Sequence, residues 1–355
     1  MSKLFWVPLE SLESRYTADW ARFFPEEFDT IHPDYETISG ESLTTTIESG
    51  EFLDVHSRPY YAQSQIQRLL IKLKRGEIKA DDTIFFADLW HPGIESLLYV
   101  RNLHGPAFKI SGIFHAGSYD PWDFLARAGT RIWAQDYESS IIRGVDHICV
   151  GTRFSKDLLL KGAHYVPEDK VHITGLPLDI NTIYGSRSEQ GKTPTIIFPH
   201  RLSPEKGLDD MVEIADGVMD QYPLADLVIT SGRKLTQPPQ EILNMRHSDK
   251  VIIRDELTKT EYYRLLSECT VALSTAKQET FGYSMLEATT LGCCPIVPNR
   301  LSYVDIYPRK FRYSDNDMAV KKILKNIDYP AFDLELPRKY NYSEIIQEML
   351  YVCEV

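Results

Sequence analysis

Two glutamates, Glu279 and Glu287, stand eight residues apart in the stretch Ser274-Thr-Ala-Lys-Gln-Glu-Thr-Phe-Gly-Tyr-Ser-Met-Leu-Glu287. An ionised carboxylate only accepts hydrogen bonds, through two oxygens, so such a pair suits a ligand rich in hydroxyls. Thr280, Phe281 and Gly282 lie between them, next to any ligand they hold. Upstream, His200-Arg-Leu-Ser-Pro-Glu-Lys-Gly207 sets Arg201 and Lys206 just before a helix-forming run. Two cations beside a helix N-terminus favour an anionic ligand such as a phosphate. In the first half, Asp88-Leu-Trp-His-Pro-Gly-Ile-Glu95 brings Asp88, Trp90 and His91 to the end of an apolar run. His115 follows another such run and precedes Ala-Gly, where backbone can approach a ligand closely. Each residue also has a plainer use. A glutamate near a helix start meets the macrodipole, an aspartate caps a turn, and a histidine after a strand is a core residue.

These residues need strands and helix starts to hold them. The glutamate stretch reads as a strand ending near Ser274, a loop carrying Glu279 and Gly282, and a helix from about Tyr283. Gly292 is a C′ stop and Pro295 opens the next strand. That is a β-loop-α-β unit of a parallel sheet, where ligands sit outside the carboxyl ends of the strands. Further strands are expected at 3–9, 82–88, 108–114, 146–150, 194–198, 225–232, 251–257 and 271–274, with a short one at 50–54. Helices are expected at 62–75, 122–143, 152–160 and 342–352. The small-residue turn at Gly232 suits the stacking of a nucleotide base. A polar, turn-rich segment at 181–193 reads as a linker between a first α/β domain, 1–180, and a second, 194–340. Residues 341–355 form a terminal helix expected to cross back to the first domain.

A chain of 355 residues exceeds what one core usually supports. Its 43% hydrophobic and 25% charged residues are those of a globular protein. No apolar run approaches the roughly 20 residues that span a bilayer and no signal peptide is evident, so a cytoplasmic protein without a membrane partner is expected. The five cysteines have no C-x-x-C spacing and read as reduced and structural. A net charge of −12 argues against non-specific binding of a phosphate backbone, although Lys72-Leu-Lys-Arg75 with Lys79 could line a local basic groove. No metal site is expected: Asp315-Asn-Asp317 lies in a turn and Asp209-Asp210 opens a helix. Oligomeric state is not encoded in any feature of the chain.

Over residues 195–312 the chain resembles the retaining GT-B glycosyltransferases of family 4, which use nucleotide sugars and carry an E-x7-E region. The resemblance implies two doubly wound Rossmann-like domains facing a central cleft, a UDP- or GDP-sugar as co-substrate, and no metal or other cofactor. It implies that Glu279 holds the donor sugar, Glu287 the ribose, and Arg201 with Lys206 the diphosphate. By position His115 matches a histidine that contacts the donor sugar near the reaction centre, and Asp255 to Leu257 border the base. Within the family, Ser274-Thr-Ala-Lys-Gln-Glu-Thr-Phe-Gly and Met285-Leu-Glu-Ala most resemble the enzymes that mannosylate queuosine in tRNA.

The amino-terminal half departs from the common pattern. Glu10-Ser-Leu-Glu-Ser-Arg-Tyr-Thr-Ala-Asp-Trp20 has no glycine where many GT-B enzymes have a Gly-rich loop, so Arg15 becomes a candidate cleft residue. With Asp88 to Glu95 and Phe114-His-Ala-Gly-Ser-Tyr-Asp, this half looks like glycosyltransferases of large tailed bacteriophages. The leading expectation is therefore a phage enzyme that glycosylates a 5-hydroxymethylpyrimidine such as hydroxymethylcytosine in DNA, in the host cytoplasm. The base would be flipped from the duplex and stacked on Trp90, His91, Tyr119 or Trp122. A tRNA-queuosine, glycan or small-molecule acceptor stays open. So does a non-catalytic GT-B module that only binds a nucleotide.

Overall fold

The computed structural model describes residues 2–11, 16–43, 56–103, 105–115, 117–127, 129, 131–163, 166–232, 234–331 and 335–355. The chain divides into two compact units, Met1–Pro177 with Tyr342–Val355, and Leu178–Asn341. Each unit is built on six parallel strands flanked by helices.

In the first unit the strands are β1 (Leu4–Val7), β2 (Tyr35–Thr37), β3 (Thr83–Phe86), β4 (Lys109–Ile113), β5 (His147–Val150) and β6 (Val171–Ile173). Their order is β2-β1-β3-β4-β5-β6, so the chain reverses direction across the sheet between β1 and β3. Leu4, Phe5, Trp6 and Val7 are all buried, the continuous apolar run that a parallel sheet covered on both faces demands. Trp6 stacks on Phe24 of the helix Tyr16–Ile31 at 4.3 Å between centroids, which fixes that helix on the sheet. The terminal helix Tyr342–Val352 belongs to this unit: Tyr342 stacks on Phe23 at 4.8 Å and Gln347 Nε2 donates to Glu27 Oε1 at 2.7 Å.

Two sequence expectations change here. The helix expected over 122–143 is two helices, Phe124–Arg127 and Arg131–Gly144, because Gly129 between them takes a left-handed φ of 75° that no helix continues through. The edge strand β2 had too short a pattern to be anticipated. The strand expected at 50–54 lies outside the described residues.

In the second unit the strands are β7 (Thr193–Phe198), β8 (Asp226–Ser231), β9 (Val251–Asp255), β10 (Cys269–Leu273), β11 (Cys294–Pro298) and β12 (Arg312–Tyr313). Their order, β12-β11-β10-β7-β8-β9, puts the reversal between β7 and β10. The segment read as a linker carries a short helix, Ile180–Gly185, whose start is capped by Asp179 accepting from Thr182 N–H. Its far end is anchored as well, since Lys192 Nζ donates to the carbonyls of Ser267, Cys269 and Leu291 at 2.7–3.1 Å. Asp315 accepts from Met318 N–H and caps the helix Asn316–Asn326, a structural use for that acidic residue.

The turn after β7 depends on one glycine. Gly207 has φ 71° at the start of the helix Leu208–Gln221, and a Cβ there would lie 2.5 Å from the backbone oxygen of Thr275. Gly207→Ala is expected to cost about 1–3 kcal/mol of stability, from backbone strain plus displacement of the β10 loop. A lower denaturant midpoint at unchanged slope checks it.

Candidate functional site

The reversal between β7 and β10 leaves a crevice outside their carboxyl ends, the usual ligand position of such a sheet. The loops that follow these two strands carry Lys206 and Glu279, and they are tied together. Lys206 Nζ donates to Glu279 Oε2 at 3.1 Å and to the carbonyl of Gln278 at 2.9 Å. Thr275 Oγ1 binds the carbonyls of Lys206 and Gly207, and the N–H groups of Lys277 and Gln278 point to the carbonyl of Glu205. From the end of β11, Arg300 donates to the carbonyls of Thr275 and Ala276, both at 3.0 Å.

Both charges are largely withdrawn from water, with 9% of the Lys206 side chain and 16% of the Glu279 side chain exposed. Burial pushes the Glu279 carboxyl up. The Lys206 charge, His200 and hydrogen bonds from Lys206 and the Phe281 N–H outweigh burial and hold it below the usual carboxylate range. Glu279 Oε1 also accepts from Gly282 N–H at 2.9 Å. A carboxylate has about four acceptor positions, so these donors leave little more than one for a ligand hydroxyl. Lys206 keeps one N–H without a partner among the described residues, available to an anion.

Gly282, at φ 85°, opens the helix Tyr283–Thr290, whose first N–H groups favour negative charge. That helix ends in a Schellman motif: Cys293 N–H returns to the Ala288 carbonyl and Gly292 N–H to that of Thr289. Glu287 sits on its second turn and accepts from Tyr263 O–H at 3.1 Å. Arg201 differs from the expectation of a free clamp. Its guanidinium, half exposed, donates to the buried carboxylate of Glu205 at 2.8 Å, which Ser203 Oγ also contacts. Gly232 follows β8, and Asp255 ends β9 and accepts from Leu235 N–H, with Leu257 just beyond. Thr280 and Phe281 line the Glu279 loop, Phe281 being buried against Tyr340.

Two residues here escaped the sequence reading. His200 is 4% exposed, held near Ser284 by a 3.4 Å contact of Nδ1, and its Nε2 has no partner among the described residues. Burial, then the charges of Lys206 and Arg201, lowers its pKa to about 3 against the pull of Glu279, so the ring is neutral. Glu205, the anchor of Arg201, follows it by four residues, an i,i+4 spacing that could have suggested it.

In the first unit, His115 Nε2 donates to the Ala87 carbonyl at 2.9 Å, and its ring packs 5.1 Å from Trp20. A carbonyl only accepts, so Nε2 carries a proton. Asp88 Oδ1 accepts from Trp90 N–H, while Oδ2 is 4.0 Å from Arg58. Burial raises the Asp88 carboxyl against the opposing influence of His115, Arg58 and the Trp90 N–H. Trp90 Nε1 donates to the buried Glu138. His91 and Tyr119 are corrections as stacking surfaces. His91 is 3% exposed and bonded to Gln65, and Tyr119 is buried in the core, bonded to Ser139 and packed against Gly162. The His91 ring packs edge-on against Phe86, and Tyr119 belongs to the apolar core cluster of the unit. Trp122 is 40% exposed, and Arg15 lies outside the described residues.

Residues 179–311 match the family described as Glycosyl transferases group 1, and this region contains Arg201, Lys206, Glu279 and Glu287. A tRNA-queuosine alpha-mannosyltransferase of Drosophila melanogaster is 28% identical over 158 residues, covering 43% of this chain and 41% of that protein. The chain thus matches about two fifths of that relative's length. Among solved structures, sucrose-phosphate synthase from Thermosynechococcus elongatus aligns with a TM-score of 0.68 and 12% identity, over 100% of this chain and 97% of that one. Alpha,alpha-trehalose 6-phosphate synthase from Burkholderia multivorans aligns with a TM-score of 0.67 and 10% identity, over 100% and 98%. The G117R mutant of S. aureus TarM, solved with UDP, aligns at 0.55 and 15% over 81% and 55%. The fold is GT-B. Among the described residues no helix is long and apolar enough to cross a membrane.

Lys206→Met would leave Glu279 buried without its cation, costing about 3–5 kcal/mol at neutral pH. A carboxyl held below its ordinary value stabilises the fold above that value, and the contribution is lost as pH falls through the lowered one. The deficit of the variant should therefore be largest near about pH 7 and shrink towards about pH 4, where the orphaned carboxyl takes up a proton. Denaturant midpoints of both proteins at the two pH values check this.

Proposed function

We propose that this protein is a retaining glycosyltransferase that moves a sugar from a nucleotide-sugar donor, UDP- or GDP-linked, to a hydroxyl of a modified nucleobase. The observation that carries this reading is the Lys206–Glu279 pair between the loops after β7 and β10, at the start of the helix Tyr283–Thr290. It lies within the region that matches the Glycosyl transferases group 1 family.

In this reading the remaining Lys206 N–H and the helix start meet the diphosphate, with Arg201 adding charge once it turns from Glu205. Glu279 gives its last acceptor position to a sugar hydroxyl, and Glu287, on the second turn of the helix, takes a ribose hydroxyl. Gly232, Asp255 and Leu257 border the base. As the bond between the sugar and the diphosphate breaks, negative charge grows on phosphate oxygens already facing fixed positive charge, so little reorganisation is needed. The charge is supplied by side chains and backbone, and the reaction as proposed uses no metal or other cofactor.

The acceptor favoured by the amino-terminal half is a 5-hydroxymethylpyrimidine of phage DNA, modified in the cytoplasm of the host. The similarity of the second unit to the tRNA-queuosine alpha-mannosyltransferase supports a second reading, with a queuosine-type base of tRNA as acceptor. Both acceptors are bases that carry a hydroxyl.

Incubation with a panel of UDP- and GDP-sugars and either 5-hydroxymethylcytosine DNA or tRNA, followed by nucleoside mass spectrometry, tests the reading. A glycosylated nucleoside is expected, and its mass identifies sugar and acceptor together. No transfer from any donor to either acceptor would reject it. Glu287→Ala should weaken UDP or GDP binding by about 1–3 kcal/mol, roughly 5- to 150-fold in Kd by calorimetry. An unchanged Kd would remove Glu287 from the donor site.

A further inference from the structure

We infer that the first unit carries an aromatic shelf, formed by Trp90, Trp133 and Tyr137 beside Asp88, that receives the nucleobase bearing the acceptor hydroxyl. This rests on the function proposed above. Trp133 lies on the helix Arg131–Gly144 with 59% of its surface exposed. It is face to face with Tyr137, with centroids 5.5 Å apart and planes 9° from parallel. Trp90 closes the group edge-on, 6.1 Å from Trp133 and 5.3 Å from Tyr137. Single exposed aromatics need no explanation, but three in mutual contact, one of them open, form a surface.

The rings are held in place. Trp90 Nε1 donates to Glu138 Oε1 at 2.7 Å, and the same buried carboxylate takes the N–H and hydroxyl of Ser118. Tyr137 O–H donates to the His91 carbonyl at 2.9 Å and approaches Glu95 Oε2 at 3.3 Å. Rings already fixed lose little freedom when another ring stacks on them.

The polar groups beside the shelf select the ligand. Asp88 follows β3 at the point where the first sheet reverses, joined to Trp90 through its Oδ1. Among the described residues its Oδ2 has the 4.0 Å approach of Arg58 alone and so can accept from a hydroxyl. Three carboxylates bond to the residues of the shelf, Asp88, Glu95 and Glu138, against the one guanidinium of Arg58 among the described side chains there. Such a rim repels phosphate, so the shelf would take the uncharged ring and leave the backbone outside. A flat base extends the parallel Trp133–Tyr137 stack, a contact worth about 1–3 kcal/mol per base. A hydroxymethyl group on that base would donate to Asp88.

The full chain can be titrated into a labelled single-stranded oligonucleotide containing 5-hydroxymethylcytosine and followed by anisotropy. Trp133→Ala should weaken binding roughly 10-fold or more, and Trp133→Phe should restore most of it. Trp133 is exposed, so its variants should unfold at the wild-type temperature. Asp88→Asn should weaken the hydroxymethylated oligonucleotide but not the same sequence with cytosine. Equal binding by wild type and Trp133→Ala would overturn the inference. So would Trp133-dependent binding of maltohexaose by a wild type that ignores the oligonucleotide, since the occupant would then be a glycan. Trp133-dependent oligonucleotide binding without transfer from any nucleotide sugar would uphold the shelf and reject the glycosyltransferase reading.

Discussion

An ammonium and a carboxylate taken out of water must be paired and hydrogen-bonded, and in the second unit that requirement joins Lys206 to Glu279. The two residues come from loops after β7 and β10, strands that neighbour each other only because the chain reverses between them. Satisfying the pair fixes much else. Gln278 must present its carbonyl, Gly282 and Phe281 must turn their N–H groups inward, and Gly207 must leave room for Thr275. The result is a site with positive charge at a helix start and very few uncommitted polar atoms. Donors fixed in this way by folding need little reorganisation to meet negative charge.

The first unit solves a related problem differently. Glu138 is buried with no cation paired to it among the described residues, and burial raises its carboxyl despite the donors of Ser118 and Trp90. Its cost is offset by neutral hydrogen bonds that also orient an indole. Asp88, at the reversal of that sheet, is less completely satisfied. The two units therefore share an all-parallel sheet but not a charge pattern. One gathers donors around a buried ion pair, the other sets carboxylates beside aromatic rings.

Much of the fold was legible in the chain because parallel strands buried on both faces leave continuous apolar runs. The runs ending at Phe86, Ile113, Phe198 and Leu273 each lead into a polar turn, and those turns hold the candidate residues. The start of the helix at Tyr283 and its stop at Gly292 were readable from glycines with positive φ. The split at Gly129 was not, because a lone glycine in a helical pattern is often tolerated.

Residue types and spacing alone thus determined the parallel α/β class, the alternation of elements, and which loops carry charge. They did so because periodicity and turn chemistry are local properties of the chain. Tertiary structure alone decided what each polar group is bonded to. Glu287 bonds to Tyr263 and Lys206 to a glutamate 73 residues away. It also decided that Tyr119 and His91 are interior and Trp133 is open, since all three are aromatic residues in similar surroundings of sequence. Partners and exposure are set by which strands become neighbours, and no spacing along the chain encodes that.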